Sequence, residues 1–453
     1  MVYDKNKLLQ AARKNEDAEI ELLKKLVSIP TCVNKNHDMK PIITLLTKEF
    51  EQKDYKVQTF AIEGSNSPVL VAEKNLNMKK TLMFYNHYDV QPEEPLEEWK
   101  TPPYTLDVRN ERLYGRGTND NKGPLVANLF GVQAATDAGY KLNCNVRFVV
   151  EGEEEAGSPH LEQFCKEHSE LLKSDGCVWE EAYATAEQRS EVYAGVKGDA
   201  YFELRARGVH VDAHSGNASI ITNPAWRLVW ALATLKNEKE EILIDHYFDD
   251  VVPPGKKELD LFRKYPADLT DQFKNLYKVD KFLLGREGIE FWKELILRPT
   301  CTISGLSAGY EGQGSKTVIG KEAMCKLDLR LVPNQKVERV QELLRKHLDK
   351  KGFRDIEIQL ITGYGPSRTP IDHPFIELLT SVAKDFTGIE PVLFPSNQGS
   401  GPAYLFGAYT PWAMCGTPDP ENNIHAPNES IKLNDWRYMT AFIGAIAAEL
   451  GQT

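Results

Sequence analysis

The sequence predicts an α/β protein, in which a mostly parallel sheet covered by helices is interrupted by an inserted α+β domain. Three observations lead there. Short apolar strands alternate with helical stretches over roughly the first 195 residues. The pattern changes character near residue 197, and buried α/β patterning returns after about residue 366.

Taken in order, Ile20, Leu23 and Val27 share one helical face, and Pro30 closes that helix. TLMFYN (81–86) and NVRFVV (145–150) are apolar runs of strand length. Between them, PLVANLFGVQAATDAG (124–139) is a buried helix that ends at Gly139, and GCVWE (176–180) is a further strand. From residue 197 onward DAYFELRARG alternates like a half-exposed strand, NPAWRLVWALATLKN is helical, and a charged, helical stretch spans about 238–298. CTISGLSAG, EAMCKLDLRLVP and DIEIQLITG are strands, with the helix VERVQELLRKHLDKKG between the last two. HPFIELLTSVAKDFTG, YTPWAMCG and a final helix complete the chain. The expected organisation is a discontinuous catalytic domain, 1–196 and 366–453, holding an inserted domain at 197–365.

The chain has 453 residues, too many for one ordinary core, which agrees with two domains. Hydrophobic residues make up 41% and charged residues 27%, the profile of a soluble globular protein. A net charge of −11 without basic runs argues against nucleic acid as a partner. No stretch approaches the ~18 apolar residues of a membrane span, and the N-terminus has no apolar segment of the secretory kind. Seven cysteines, at 32, 144, 165, 177, 301, 325 and 415, are scattered without a Cys-x-x-Cys pair. That pattern fits reduced core thiols in a cytoplasmic protein.

Residues with metal-ligand character follow the expected strands. His87-Tyr88-Asp89 follows TLMFYN, Glu151 to Glu155 follow NVRFVV, Glu180-Glu181 end GCVWEE, and His425 follows YTPWAMCG. Asp120 ends the turn GRGTND just before the buried helix. Each piece alone is a common surface pattern, but sites in open α/β sheets form at the carboxyl ends of strands, where distant segments converge. Two histidines with several carboxylates suit borderline divalent ions: zinc accepts both ligand types, and manganese or cobalt can substitute. Two ions about 3.5–4 Å apart need one shared carboxylate and about two further ligands each, a count these residues meet. The pair Glu154-Glu155 then lets one glutamate bind metal while its neighbour activates water. GYEGQGS (309–315) lacks the strand–turn–helix context of a dinucleotide loop.

The stretches HYDVQP (87–92), LYGRGTNDNKGP (113–124), EGEEEAGS (151–158), VDAHSG (211–216), GLSAGYEGQGSKTVIG (305–320), DLRLVPNQ (328–335), QGSGP (398–402) and NNIHAPNE (422–429) occur in this order. With them the chain resembles the two-zinc exopeptidase and amidohydrolase family of carnosinases, bacterial dipeptidases, aminoacylases, carboxypeptidase G and succinyl-diaminopimelate desuccinylase, most of all its carnosinase and dipeptidase branch. The resemblance implies that His87 and Glu181 bind one metal, Glu155 and His425 the other, and that Asp120 bridges them. It implies that Asp89 orients His87, that the Asp120–Asn121 peptide is cis, and that Glu154 is the general base. It implies that His214 stabilises the oxyanion in a partner subunit's site, which makes the inserted domain a lid and homodimer interface. It places Arg330, Thr317 and Ser400 at the substrate carboxylate. Three departures stand out: Asn86 replaces a usual Gly, Gly320 replaces a usual Pro, and Glu181 stands where the carnosinase branch has Asp. Glu180 beside it leaves the ligand register open by one. The implied activity is hydrolysis of dipeptides or short peptides with a free C-terminal carboxylate. N-acyl amino acid deacylation or desuccinylation, or carboxypeptidase action, is the alternative, and a non-catalytic metal-binding member is a reading of another class.

Overall fold

The structure is a computed structural model that describes residues 1–182, 189–416, 419 and 421–451. The chain forms two compact units: Met1–Gly195 with Arg368–Pro395 and Leu405–Thr453, and Val196–Ser367 with Ser396–Tyr404. The second unit thus takes in a short segment beyond the 197–365 span expected from sequence.

The first unit is built on an eight-stranded sheet. Its spatial order is Lys56–Phe60, Val69–Lys74, Cys144–Glu151, Lys80–His87, Gly176–Ala182, Trp412–Gly416, Glu191–Tyr193 and Val392–Phe394. The four central strands, Cys144–Glu151 through Trp412–Gly416, run parallel. They are the apolar runs of the sequence, buried on both faces as a covered parallel sheet requires. The two strands before them, Lys56–Phe60 and Val69–Lys74, pair antiparallel at one edge. The helix Lys122–Asp137 is buried almost all round, which explains its lack of a polar stripe. It packs against Leu433–Leu450, and a Cβ on Gly131 would come within 2.5 Å of Ile443 Cβ, so only glycine allows that approach.

The second unit is a four-stranded antiparallel sheet in the order Thr302–Ala308, Glu322–Leu331, Gly198–Arg207 and Glu357–Tyr364. Glu322–Leu331 alternates strictly between buried and half-buried residues, the mark of a sheet with one covered face. The covering helices are Pro224–Leu232 and Val337–Lys350. The charged stretch contains the short helices Lys256–Phe262, Asp268–Tyr277 and Gly288–Trp292, with a π-helical turn at Lys293–Leu297. Among the described residues, no helix is long and apolar enough to cross a membrane.

One core carboxylate of the first unit has a pH consequence. Glu19 is 2% exposed and accepts a hydrogen bond from Thr440 Oγ1 at 2.9 Å. Burial pushes its carboxyl up to about 8 despite that bond. Between the ordinary carboxylate range and pH 8 the folded chain therefore holds a proton that the unfolded chain releases, and stability falls as pH rises through this window. Glu19→Gln removes the titration. Its gain in Tm over wild type is expected to be larger at pH 9 than at pH 5, by up to a few kcal/mol in unfolding free energy. Equal gains at both pH values would show that Glu19 is ionised in the fold.

Candidate metal centre

His87 ends its strand directly beside Glu151, the last residue of the neighbouring parallel strand. Tyr88 N–H donates to the Glu151 carbonyl at 2.9 Å, so the chain leaves both strands at one point. Gly152 follows, and a Cβ there would lie 2.1 Å from the Tyr88 ring. This close approach turns the backbone into the 3₁₀ turn Glu154–Ala156, which carries both paired glutamates. Asp89 ties the two segments together. It accepts the Glu154 and Glu155 N–H groups at 3.3 and 3.0 Å, and its Oδ1 lies 3.2 Å from His87 Nδ1. One fully buried carboxylate thereby orients an imidazole and the turn beside it.

Asp120 stands between two imidazoles. Its Oδ1 is 2.8 Å from His87 Nε2, and its Oδ2 is 3.1 Å from His425 Nε2. Glu155 Oε2 is 3.3 Å from His425 Nε2 and accepts Gln91 Nε2 at 2.8 Å. Asp120, Glu155 and His425 each offer a ligand atom, all within 4.8 Å of one another. The Asp120–Asn121 peptide is cis.

The turn carrying Asp120 is held from the other side by Glu429. That carboxylate accepts Arg116 Nη1 and the backbone N–H groups of Gly117, Asn119 and Asp120 at 2.9–3.0 Å. The Arg116 and Glu429 side chains are each 1% exposed. Glu429 lies inside the NNIHAPNE motif, four residues after His425, yet nothing in its local sequence marks it as a buried acceptor.

The third strand end is irregular. Opposite Ala413 and Cys415 the pairing skips from Val178 to Ala182, so Trp179, Glu180 and Glu181 form a bulge. Glu180 takes a φ of 60° there. Its carbonyl accepts Asn86 Nδ2 at 3.0 Å and Asn128 Nδ2 at 3.3 Å. Asn86 also donates to Asn121 Oδ1 at 2.6 Å and accepts Asn128 Nδ2 at 3.1 Å. The buried Asn86, the departure from glycine noted in the sequence, thus links the bulge to the residue after Asp120. Both glutamates feel Asp120, whereas Glu180 also interacts with His87 and Glu155.

The electrostatics describe a crowd of anions. Burial, then Glu180, raises Glu154 well above the carboxylate range. Burial likewise lifts Glu180 to about 8 and Glu181 to about 7. At His87 burial opposes the imidazolium, but Asp120 and Asp89 outweigh it and hold the ring well above its ordinary value. Asp120 and then Glu155 raise His425 to about 10. Five carboxylates around two imidazoles form a donor set that multivalent cations would neutralise, and oxygen with imidazole donors suits zinc-like ions.

The remaining expected residues lie in the second unit. His214 is exposed, and its strand Ala213–His214 pairs with Val318–Ile319. Thr317 sits beside it, with its carbonyl accepting Ser215 N–H at 3.1 Å. Arg330 Nη1 donates to Ser400 Oγ at 3.0 Å, while Asp328 holds the guanidinium by Nε and Nη2, each at 3.0 Å.

Glu429→Gln would point an amide donor at groups that are already donors and leave Arg116 buried without its counter-charge. Urea unfolding is expected to show a loss of about 3–5 kcal/mol. Metal affinity, read by competition with a chelating dye, is expected to fall about 10–100-fold. Unchanged values in both experiments would show that the turn holds itself.

A family model described as Peptidase family M20/M25/M40 matches residues 83–449. Human Beta-Ala-His dipeptidase is 29% identical over 398 residues, covering 85% of this chain and 78% of that protein. The Cys-Gly metallodipeptidase dug1 of Schizosaccharomyces pombe is 29% identical over 374 residues, covering 76% of this chain and 75% of that protein. The crystal structure of an M20 family metallo-carboxypeptidase from Sulfolobus solfataricus superposes with a TM-score of 0.86 and 34% identity, covering 96% of this chain and 99% of that one. With two histidines and several carboxylates gathered at one centre, the chain belongs to peptidase family M20/M25/M40.

Proposed function

We propose that this chain is a di-metal hydrolase that cleaves dipeptides or very short peptides with a free C-terminal carboxylate. The observation that carries the reading is the Asp120 carboxylate, one oxygen on His87 and the other on His425, with Glu155 alongside and the turn of Glu154 anchored on Asp89. His87 and Glu181 would hold one ion, Glu155 and His425 the other, and Asp120 both. The contacts of Glu180 with the same cluster support a share for it beside Glu181. Zinc fits this donor set, and manganese or cobalt would serve.

Bound there, the ions supply Lewis-acid polarisation of the scissile carbonyl and acidify the attacking water. Glu154 takes the water proton and returns it to the leaving amine. Asp89 keeps Glu154 in place through the backbone. Arg330, steadied by Asp328 and Ser400, offers its remaining N–H groups to the substrate carboxylate. Thr317 is assigned to the same recognition, and His214 to the oxyanion in the partner subunit's site. The dipeptidases among the relatives support peptide substrates. The metallo-carboxypeptidase at 34% identity favours carboxypeptidase action as a second reading with the same centre; deacylation or desuccinylation of N-acyl amino acids would use it too.

The second unit carries an apolar face suited to a second copy of the chain. Trp226, Val229 and Trp230 on one helix are 58%, 41% and 56% exposed, and Ile303 and Leu306 on the edge strand Thr302–Ala308 are 51% and 53% exposed. An open strand edge beside an exposed tryptophan pair can pair with its own two-fold copy. A homodimer through this unit is the arrangement the role of His214 needs. All seven cysteines are buried and unpaired, which supports a cytoplasmic setting.

Chelation should abolish cleavage of a dipeptide panel, and added zinc, manganese or cobalt should restore it. Glu154→Gln is expected to keep its metal, counted by atomic emission, and to lose about 10²–10⁴ in kcat. Full turnover in that variant would remove Glu154 as the base, and no metal binding by wild type would remove the reading itself. Trp230→Glu is expected to convert a dimer to a monomer in sedimentation velocity. A wild-type monomer with full activity would exclude the role given to His214.

A further inference from the structure

A cavity of about 290 Å³ lies within the second unit, and its lining combines cations with an apolar wall. Its volume is at the lower end of small-molecule sites, about 300–1,000 Å³.

The cationic side consists of Lys197 and Arg330. Arg330 is held rigidly by Asp328 and Ser400, so its fork is already oriented. Lys197 is 3% exposed, and its Nζ donates to the Arg298 carbonyl at 2.6 Å. Burial, together with the neighbouring Arg330, draws the ammonium down to about 8 although Glu294 of the same lining opposes the shift. A third lining cation, Arg286, already has Glu294 of the same lining at 3.3 Å. Asp199 faces Arg330 across the strands but does not line the cavity.

The apolar lining is formed by Phe282, Leu283, Phe291 and Leu295, all from the stretch that the sequence marks as a charged insertion. The Phe282 and Phe291 ring centroids lie 4.3 Å apart, with the ring planes tilted by 36°. Leu283 remains 58% exposed, an apolar side chain with little protein cover.

A cationic pair and an apolar wall in one cavity match the two ends of one kind of ligand. We propose that this cavity binds the C-terminal residue of the substrate, with the carboxylate at Lys197 and Arg330 and the side chain on the Phe282–Phe291 wall. Large apolar residues such as leucine or phenylalanine are then preferred at that end. The inference rests on the reading of Arg330 as the carboxylate-binding residue, and it makes Lys197 a second recognition group and Leu283 a specificity determinant.

The test is calorimetric titration of the full-length, metal-loaded protein with N-acetyl-L-phenylalanine, N-acetyl-L-leucine and N-acetylglycine. The two apolar compounds are expected to bind about tenfold or more tightly than the glycine compound. Leu283→Glu, at an exposed position, is expected to bring that ratio near one, and Lys197→Met to weaken all three compounds by a similar factor. Thermal melts confirm that each variant is folded. Equal affinity for the three compounds in wild type, no binding of any, or an apolar preference that survives Leu283→Glu would each overturn the proposal. Cleavage of Gly-Leu and Gly-Gly by the same preparation reports separately on the hydrolase. Absence of metal-dependent cleavage would count against the peptidase reading while the titrations still decide the cavity.

Discussion

Asp120 can face two imidazoles at once only because the turn before it is tied down. Three backbone N–H groups and a guanidinium converge on the buried carboxylate of Glu429. Burying an ionised group is costly unless hydrogen bonds replace its water, and here four do. The same glutamate closes the loop that presents His425. A short antiparallel ladder, Arg112–Tyr114 against Ser430–Lys432, joins the two segments immediately beside it. Both Asp120 and His425 are therefore referenced to one fixed point.

Around that point the first unit concentrates negative charge. Asp120, Glu154, Glu155, Glu180 and Glu181 share a region with His87 and His425, and burial followed by mutual repulsion lifts the carboxyls of Glu154, Glu180 and Glu181. Rigid neighbours hold the groups in place against this: Asp89 under the Glu154–Glu155 turn, and Asn86 with Asn128 under the Glu180 bulge. An arrangement that is costly without cations is one that binds them tightly, since ligand binding to the folded state offsets the same free energy. The second unit holds the opposite kind of chemistry, with cations beside apolar surface at Lys197 and Arg330.

Much of this was legible in the order of residues. A buried parallel strand must be apolar along most of its length, so the polar residues that end such a run stand out: His87 after TLMFYN, the glutamates after NVRFVV and GCVW. Edge strands carry a weaker signal. Lys56–Phe60 is mostly exposed and polar, and its strand character comes from pairing with Val69–Lys74. The Thr317 carbonyl accepts the N–H of Ser215, the residue after His214, a contact that no local sequence pattern marks.

The sequence by itself determined which residue types meet at the centre, because strand ends and helix starts follow from local patterning and the ligand chemistry follows from imidazole and carboxylate. Tertiary structure decided the rest. The register of Glu180 and Glu181 depends on a bulge, which exists only where one strand of a pair carries extra residues opposite fewer on its partner. The work of Glu429, Asn86 and Gln91 depends on partners as far as 313 residues away in the chain, and no local pattern records a hydrogen bond across that distance.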